Sequence, residues 1–225
     1  MRIKKVWAVY FSGTGTTEKT VRRIAAGMAQ ALDAELAVYD FTTPAARQRE
    51  LRFGAEELAV LGVPVYAGRV PNVLLPYLTK QLHGGGALAV PVVLFGNRNF
   101  DDGLIELRNI LTEDGFMPVA VWGETPIRPY YTPRDRHGNP INILKVKPKT
   151  DMDRCGGCGL CAARCPMGSI DPADVSQVTG ICIKCCACVK GCPAEAKYFD
   201  DAGYLYHKSE LEEVYARPAA NEVFL

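Results

Sequence analysis

A chain of 225 residues is long enough for one large domain or two smaller ones, and an apolar content of 48% supports a sizeable core. A net charge of +1 gives no electrostatic drive toward nucleic acid or an anionic membrane, and no apolar run reaches the length that spans a bilayer. The basic opening Met1-Arg2-Ile3-Lys4-Lys5 runs into a strand-like stretch rather than a cleavable signal, so a cytoplasmic protein with no membrane span is expected.

Val6 to Phe11 is a continuous apolar run, as suits a strand buried on both faces. It leads into Ser12, Gly13, Thr14, Gly15, Thr16 and Thr17, after which Val21, Ile24, Ala25, Met28 and Leu32 recur at helical spacing. A loop of this kind wraps a phosphate with backbone N–H groups and hydroxyls at a helix N-terminus. No Lys follows the loop glycine, and the pattern is not G-x-G-x-x-G, so neither nucleotide motif is present. Four hydroxyls without a cation suit a phosphate monoester; a turn that merely caps a helix is the competing reading.

Further strand patterns run from Glu35 to Tyr39, Leu58 to Val63, Leu88 to Phe95 and Phe116 to Trp122, with a helical period at Leu104 to Leu111. Alternating strands and helices predict a parallel sheet with helices on its faces, in which ligands bind beyond the carboxyl ends of the strands. Two loops fall at such ends: Pro64, Val65, Tyr66, Ala67 and Gly68, then Gly96, Asn97, Arg98, Asn99 and Phe100. Asp101 and Asp102 are expected to cap the next helix. Arg69 and Arg98 are read as partner-facing or solvated.

The interval from Gly123 to Arg154 holds five prolines (Pro126, Pro129, Pro133, Pro140 and Pro148), which exclude a long helix. Asp135 to Pro140 reads as a turn, and Ile141, Ile143, Leu144 and Val146 as a possible short strand.

Then come two copies of one run, C-x2-C-x2-C-x3-C-P: Cys155, Cys158, Cys161, Cys165-Pro166, and Cys182, Cys185, Cys188, Cys192-Pro193. Two x2 loops wrap three corners of a [4Fe–4S] cube, and the fourth thiolate must come from elsewhere. A disulfide framework is disfavoured by the intracellular character of the chain, and zinc by three-Cys runs in place of separated C-x2-C pairs. The ninth cysteine, Cys186, aligns with Gly159 and is expected to be a small buried thiol. Beyond the runs, Ser209 and Glu212 look like a capping box, with Leu211, Val214 and Tyr215 on one apolar face. His83, His137 and His207 are expected to be surface or satisfied side chains, and no catalytic Ser/His/Asp or paired-carboxylate constellation is visible.

The doubled run resembles that of two-cluster ferredoxins, in which the fourth Cys ligates the other cluster. This implies two [4Fe–4S] clusters, one on Cys155, Cys158, Cys161 and Cys192, the other on Cys182, Cys185, Cys188 and Cys165. Ser12, Thr14, Gly15 and Thr17 match the T/S-x-T-G-x-T loop of the flavodoxins, which implies FMN, with residues 64–68 and 96–100 flanking its ring and Tyr66 stacking on it. The whole layout is similar to a flavodoxin–ferredoxin fusion family of anaerobic microbes, with the flavodoxin's last helix missing. The resemblance implies α/β architecture, a flavodoxin-like doubly wound parallel sheet followed by a small two-cluster ferredoxin-like α+β domain. Its implied boundaries are 1–124, a proline-rich linker at 125–150, a cluster domain at 151–200, and a C-terminal helix and tail at 201–225. It further implies an electron carrier that works with redox partner proteins. A flavin-dependent reductase acting on a substrate or NAD(P)H, and a ferredoxin on a scaffold that binds no flavin, are the alternatives.

Overall fold

The structure, a computed structural model, describes residues 2–119, 127–217, 220 and 222–223. The chain divides into two compact units, Met1–Tyr131 with Pro218–Leu225, and Thr132–Arg217.

In the first unit β1 (Lys5–Tyr10), α1 (Thr16–Leu32), β2 (Glu35–Asp40), β3 (Leu51–Arg52), β4 (Glu57–Pro64), α2 (Leu75–Leu78), β5 (Leu82–His83), β6 (Leu88–Leu94), α3 (Gly103–Glu113) and β7 (Met117–Pro118) follow in order. Five of these strands make a parallel sheet in the order β2-β1-β4-β6-β7. The short β3 and β5 pair beside it as a separate parallel ladder. The strand period of two sends Val6, Ala8 and Tyr10 to one face, where they pack with Val21, Ala25 and Ala29 of α1 and with Leu58 and Val60 of β4. Gly62 permits this contact, because a Cβ there would stand 2.2 Å from Val21 Cγ2. The aromatic rings of Phe11, Phe41 and Tyr77 form a second packed group, Phe41 and Tyr77 stacked at 5.0 Å. Each such fully buried large side chain contributes about 2 kcal/mol.

Leu88, Val90 and Val92 lie at the margin of the α1 cluster and stay half-buried. Among the described residues of this unit no helix follows β7 up to Tyr131. The expected fifth strand, Phe116 to Trp122, is seen only as Met117–Pro118, with the Val119 N–H donating to the Ala89 carbonyl; residues 120–122 lie outside the described residues.

In the second unit, β8 (Lys149–Thr150) pairs antiparallel with β9 (Lys197–Tyr198), and α4 (Leu160–Ala163), α5 (Ala187–Lys190) and α6 (Ala202–Val214) complete it. Asp135 closes the expected turn, accepting from the N–H groups of His137, Gly138 and Asn139. The segment Ile141 to Val146 forms no strand. Helix α6 begins earlier than the capping-box pattern suggests: the Asp201 carboxylate accepts from the Tyr204 N–H at 2.8 Å, so Ser209 and Glu212 fall inside the helix.

Candidate functional site

The two cysteine runs fold alike. Gly157 and Lys184 occupy equivalent places and both are left-handed, with φ of 67° and 53°. The same holds for Gly159 and Cys186 (69° and 59°) and for Gly168 and Glu195 (59° and 49°). The fourth cysteine of each run accepts from a backbone N–H four residues on: Ser169 donates to Cys165 Sγ and Ala196 to Cys192 Sγ, each at 3.3 Å. The left-handed residues turn the chain sharply enough to face successive thiols inward.

Two cavities result. One is lined by Cys155, Cys158, Cys161 and Cys192, the other by Cys165, Cys182, Cys185 and Cys188, with Cys186 beside them. Each therefore takes three thiols from one run and the fourth from the other. Among the described residues no group of three or more His, Cys, Asp or Glu side chains closes on a point suited to a single metal ion. A cube makes a different demand, since each thiolate holds its own iron and the four surround a volume.

The cavities differ in surroundings. The Cys165 set is walled by apolar side chains, among them Ile170, Val178, Ile181 and Phe199. Burial pushes the thiols up there, Cys185 to about 11 and Cys188 to about 12, with Cys182 raised as well. A metal centre must displace those protons. Burial also works to raise Cys192, but the N–H groups of Ala196, Ala194 and Lys197 outweigh it and pull that thiol down. Cys186 is half-buried rather than buried, and its thiol meets the Tyr204 hydroxyl at 3.4 Å. Lys184, in its strained turn, is held by donation from Nζ to the carbonyls of Leu144 and Cys182.

In the first unit, the three expected loops follow β1, β4 and β6, neighbours in the sheet, so they share its carboxyl edge. Gly15, at φ 84°, leads into α1 without a side-chain cap. Ser12 Oγ accepts from the Glu18 N–H at 3.1 Å, and the Ser12 N–H donates to Thr42 Oγ1 at 2.8 Å. Thr17 is buried. Tyr66 is half-buried at the head of a tight turn through Ala67 and Gly68, both left-handed, closed by reciprocal N–H to carbonyl bonds with Arg69. Gly68 is required there twice over, because a Cβ would stand 2.4 Å from Asp101 Oδ2.

Charge–charge contacts that sequence reasoning missed fix these loops. Arg69 is not solvated. Its guanidinium grips the buried Glu106 carboxylate of α3, Nε at 2.8 Å from Oε2, and lies over the Tyr130 ring. Arg98 pairs with Asp101 and lies over Tyr131. Asp102 does not cap α3 with its side chain, because its buried carboxylate instead accepts from the Arg128 backbone and guanidinium. The guanidinium hydrogen bond holds that carboxyl below its usual range. The Arg69–Glu106 and Asp102–Arg128 pairs join residues more than two dozen positions apart, and no local pattern signals them.

A 4Fe-4S binding domain family matches residues 148–171, a stretch that takes in the whole first run. This part of the chain is thus similar to an iron–sulfur electron-transfer module. A solved structure named "Putative flavoprotein from Bacteroides uniformis ATCC 8492" is similar at 16% identity over 52% of this chain and 88% of its own, with a TM-score of 0.35. No curated protein matches the chain.

Proposed function

We propose that this chain is an electron carrier holding two [4Fe–4S] clusters in its second unit and FMN in its first. What carries the reading is the partition of eight thiols into two cavities, each drawing three cysteines from one run and one from the other. The residues fit the group: four thiols surround each space, left-handed turns direct them, and N–H donors already meet Cys165 and Cys192. When bound, each cluster accepts and releases one electron. The protein orients it, shields it from water with apolar side chains, and sets its potential through hydrogen bonds to sulfur.

FMN is supported by the chain's own residues. The strand order β2-β1-β4-β6-β7 is the doubly wound order that places a ligand at the β1/β4 switch point. The Ser12–Thr17 loop lies there, rich in hydroxyls and N–H groups, at the start of a long helix. In this reading the hydroxyls of Thr14 and Thr17 and the loop amides hold the phosphate, while residues 64–68 and 96–100 flank the ring. Redox partner proteins supply and collect the electrons.

Anaerobically purified protein tests the proposal. It should contain about eight iron and about eight acid-labile sulfide per chain, the content of two cubes, together with about one FMN. Stoichiometric zinc without sulfide would overturn the cluster reading. Full iron without flavin would leave a ferredoxin on a scaffold that binds none.

A further inference from the structure

The two cavities are built from equivalent positions, and at one buried pair of equivalents they differ in charge. Ile170 and Lys197 each lie five residues beyond the fourth cysteine of their run, and both are buried, at 4% and 3% exposure. Each sits in a short antiparallel pairing, Ile170 against Val178 and Lys197 against Thr150. Ile170 lines the cavity of Cys165, Cys182, Cys185 and Cys188, whereas Lys197 lines that of Cys155, Cys158, Cys161 and Cys192. Lys197 Nζ donates to the Val175 carbonyl, which also accepts from Thr150 Oγ1. Val175 and Thr150 line the second of these cavities and not the first. A neutral carbonyl does not cancel the ammonium charge; Asp174 feels that charge, but no carboxylate forms an ion pair with Lys197 among the described residues.

Adding an electron to a thiolate-bound cluster makes it more negative, so a nearby buried cation favours the reduced form. Water does the same, and Cys158 is exposed. The other cavity has an isoleucine at the matching place and a largely apolar wall; the charge of Lys184 reaches Cys182 there, but that side chain is only half-buried, whereas Lys197 is fully buried. The Lys197 charge reaches Cys188 of the other set, which narrows the difference, and the Arg154 charge reaches Cys192, which widens it.

We infer that Lys197 makes the two clusters unequal, so that the first electron to enter settles on the cluster of Cys155, Cys158, Cys161 and Cys192. The inference rests on the two-cluster reading above. In the one-electron-reduced protein, an electron leaves the Cys165-set cluster, which is oxidised, and reduces the Cys155-set cluster; no bond or proton moves. A unit charge several ångströms away at an effective dielectric near 20 supplies a preference of roughly tenfold or more.

The test is a reductive titration of the holoprotein with dithionite, followed by electron paramagnetic resonance, with iron and sulfide measured on the same samples. Two separate one-electron steps are expected, and Cys158→Ser should shift the first while Cys185→Ser shifts the second. Lys197→Met should draw the first step toward the second, and Lys197→Arg, which keeps the charge, should restore the separation. One unresolved step in the wild-type protein overturns the inference, as does a Lys197→Met variant with full iron and unchanged steps. If Lys197→Met loses its clusters, the wild-type and Cys→Ser titrations decide alone: a first step that moves with Cys185→Ser contradicts the assignment. Failure of the two-cluster reading looks different, since the wild-type protein would then lack the iron and sulfide of two cubes.

Discussion

Gly159 and Cys186 stand at the same place in the two cysteine runs and share one left-handed backbone conformation, with φ of 69° and 59°. A Cβ in that region clashes with the neighbouring carbonyl, at a cost of about 1–2 kcal/mol, which glycine avoids. The second run therefore carries strain that the first does not. Cys186→Gly should raise the stability of the anaerobic protein by about 1 kcal/mol and keep the iron content of the wild type, as thermal unfolding and iron assay would show. Lys184→Gly, at another strained place, should gain less because it gives up the two Nζ bonds to Leu144 and Cys182. A loss of iron in Cys186→Gly would mean that this thiol is a ligand.

The grip of Glu106 on Arg69 and on the Val70 N–H ties α3 to the turn that presents Tyr66. The two side chains are 8% and 17% exposed, so removing the acid leaves a cation short of its partner in a poorly solvated place. Glu106→Ala should destabilise the first unit by about 3 kcal/mol in urea unfolding. An effect within experimental error would show the pair to be solvated in solution.

Asp114, at the end of α3, has one carboxylate oxygen buried with no hydrogen-bond partner. Burial raises its pKa to about 6, with Glu113 adding to the rise and His83 opposing it. Its folded-state value thus lies above the ordinary 3.8, and the folded protein holds an extra proton between the two. The favourable contribution is complete below the ordinary value and is lost as pH climbs through about 6. Asp114→Asn should make the melting temperature higher at neutral pH and flatten its decline between acid and neutral buffer. A decline unchanged in the variant would assign it to other groups.

If the Ser12–Thr17 loop holds the phosphate of FMN, riboflavin loses several charge-assisted hydrogen bonds and should bind at least roughly tenfold more weakly. Fluorescence quenching with each ligand measures this directly. Equal affinities would remove the loop from the site.

The features legible in the sequence are those with a local period or fixed spacing. The paired Cys runs, the apolar β1, β4 and β6, and the Ser12–Thr17 loop ahead of α1 all announce themselves within a dozen residues. The two-residue β3 and β5 escaped notice, because so short a run has no period. Helix α6 was misplaced at its start, because an S-x-x-E pattern reads the same inside a helix as at its cap, while the working cap is Asp201. Arg69 looked solvated because Glu106, its partner, lies far along the chain. Lys197 gave no signal at all: a lysine in so short a strand reads as surface, and only the folded backbone buries it beside four thiols.

The crossed allotment of thiols is the centre of this account, and iron counting in two double variants tests it most directly. Cys158→Ala with Cys192→Ala removes two ligands from one proposed cluster and none from the other. Anaerobic protein should then keep about four iron, all in one intact cube. Cys158→Ala with Cys165→Ala removes one ligand from each, and both clusters should become labile, with iron falling well below that of the first variant. If instead the second pair keeps one intact cluster and the first pair loses both, each run holds its own cube and the crossed arrangement is wrong.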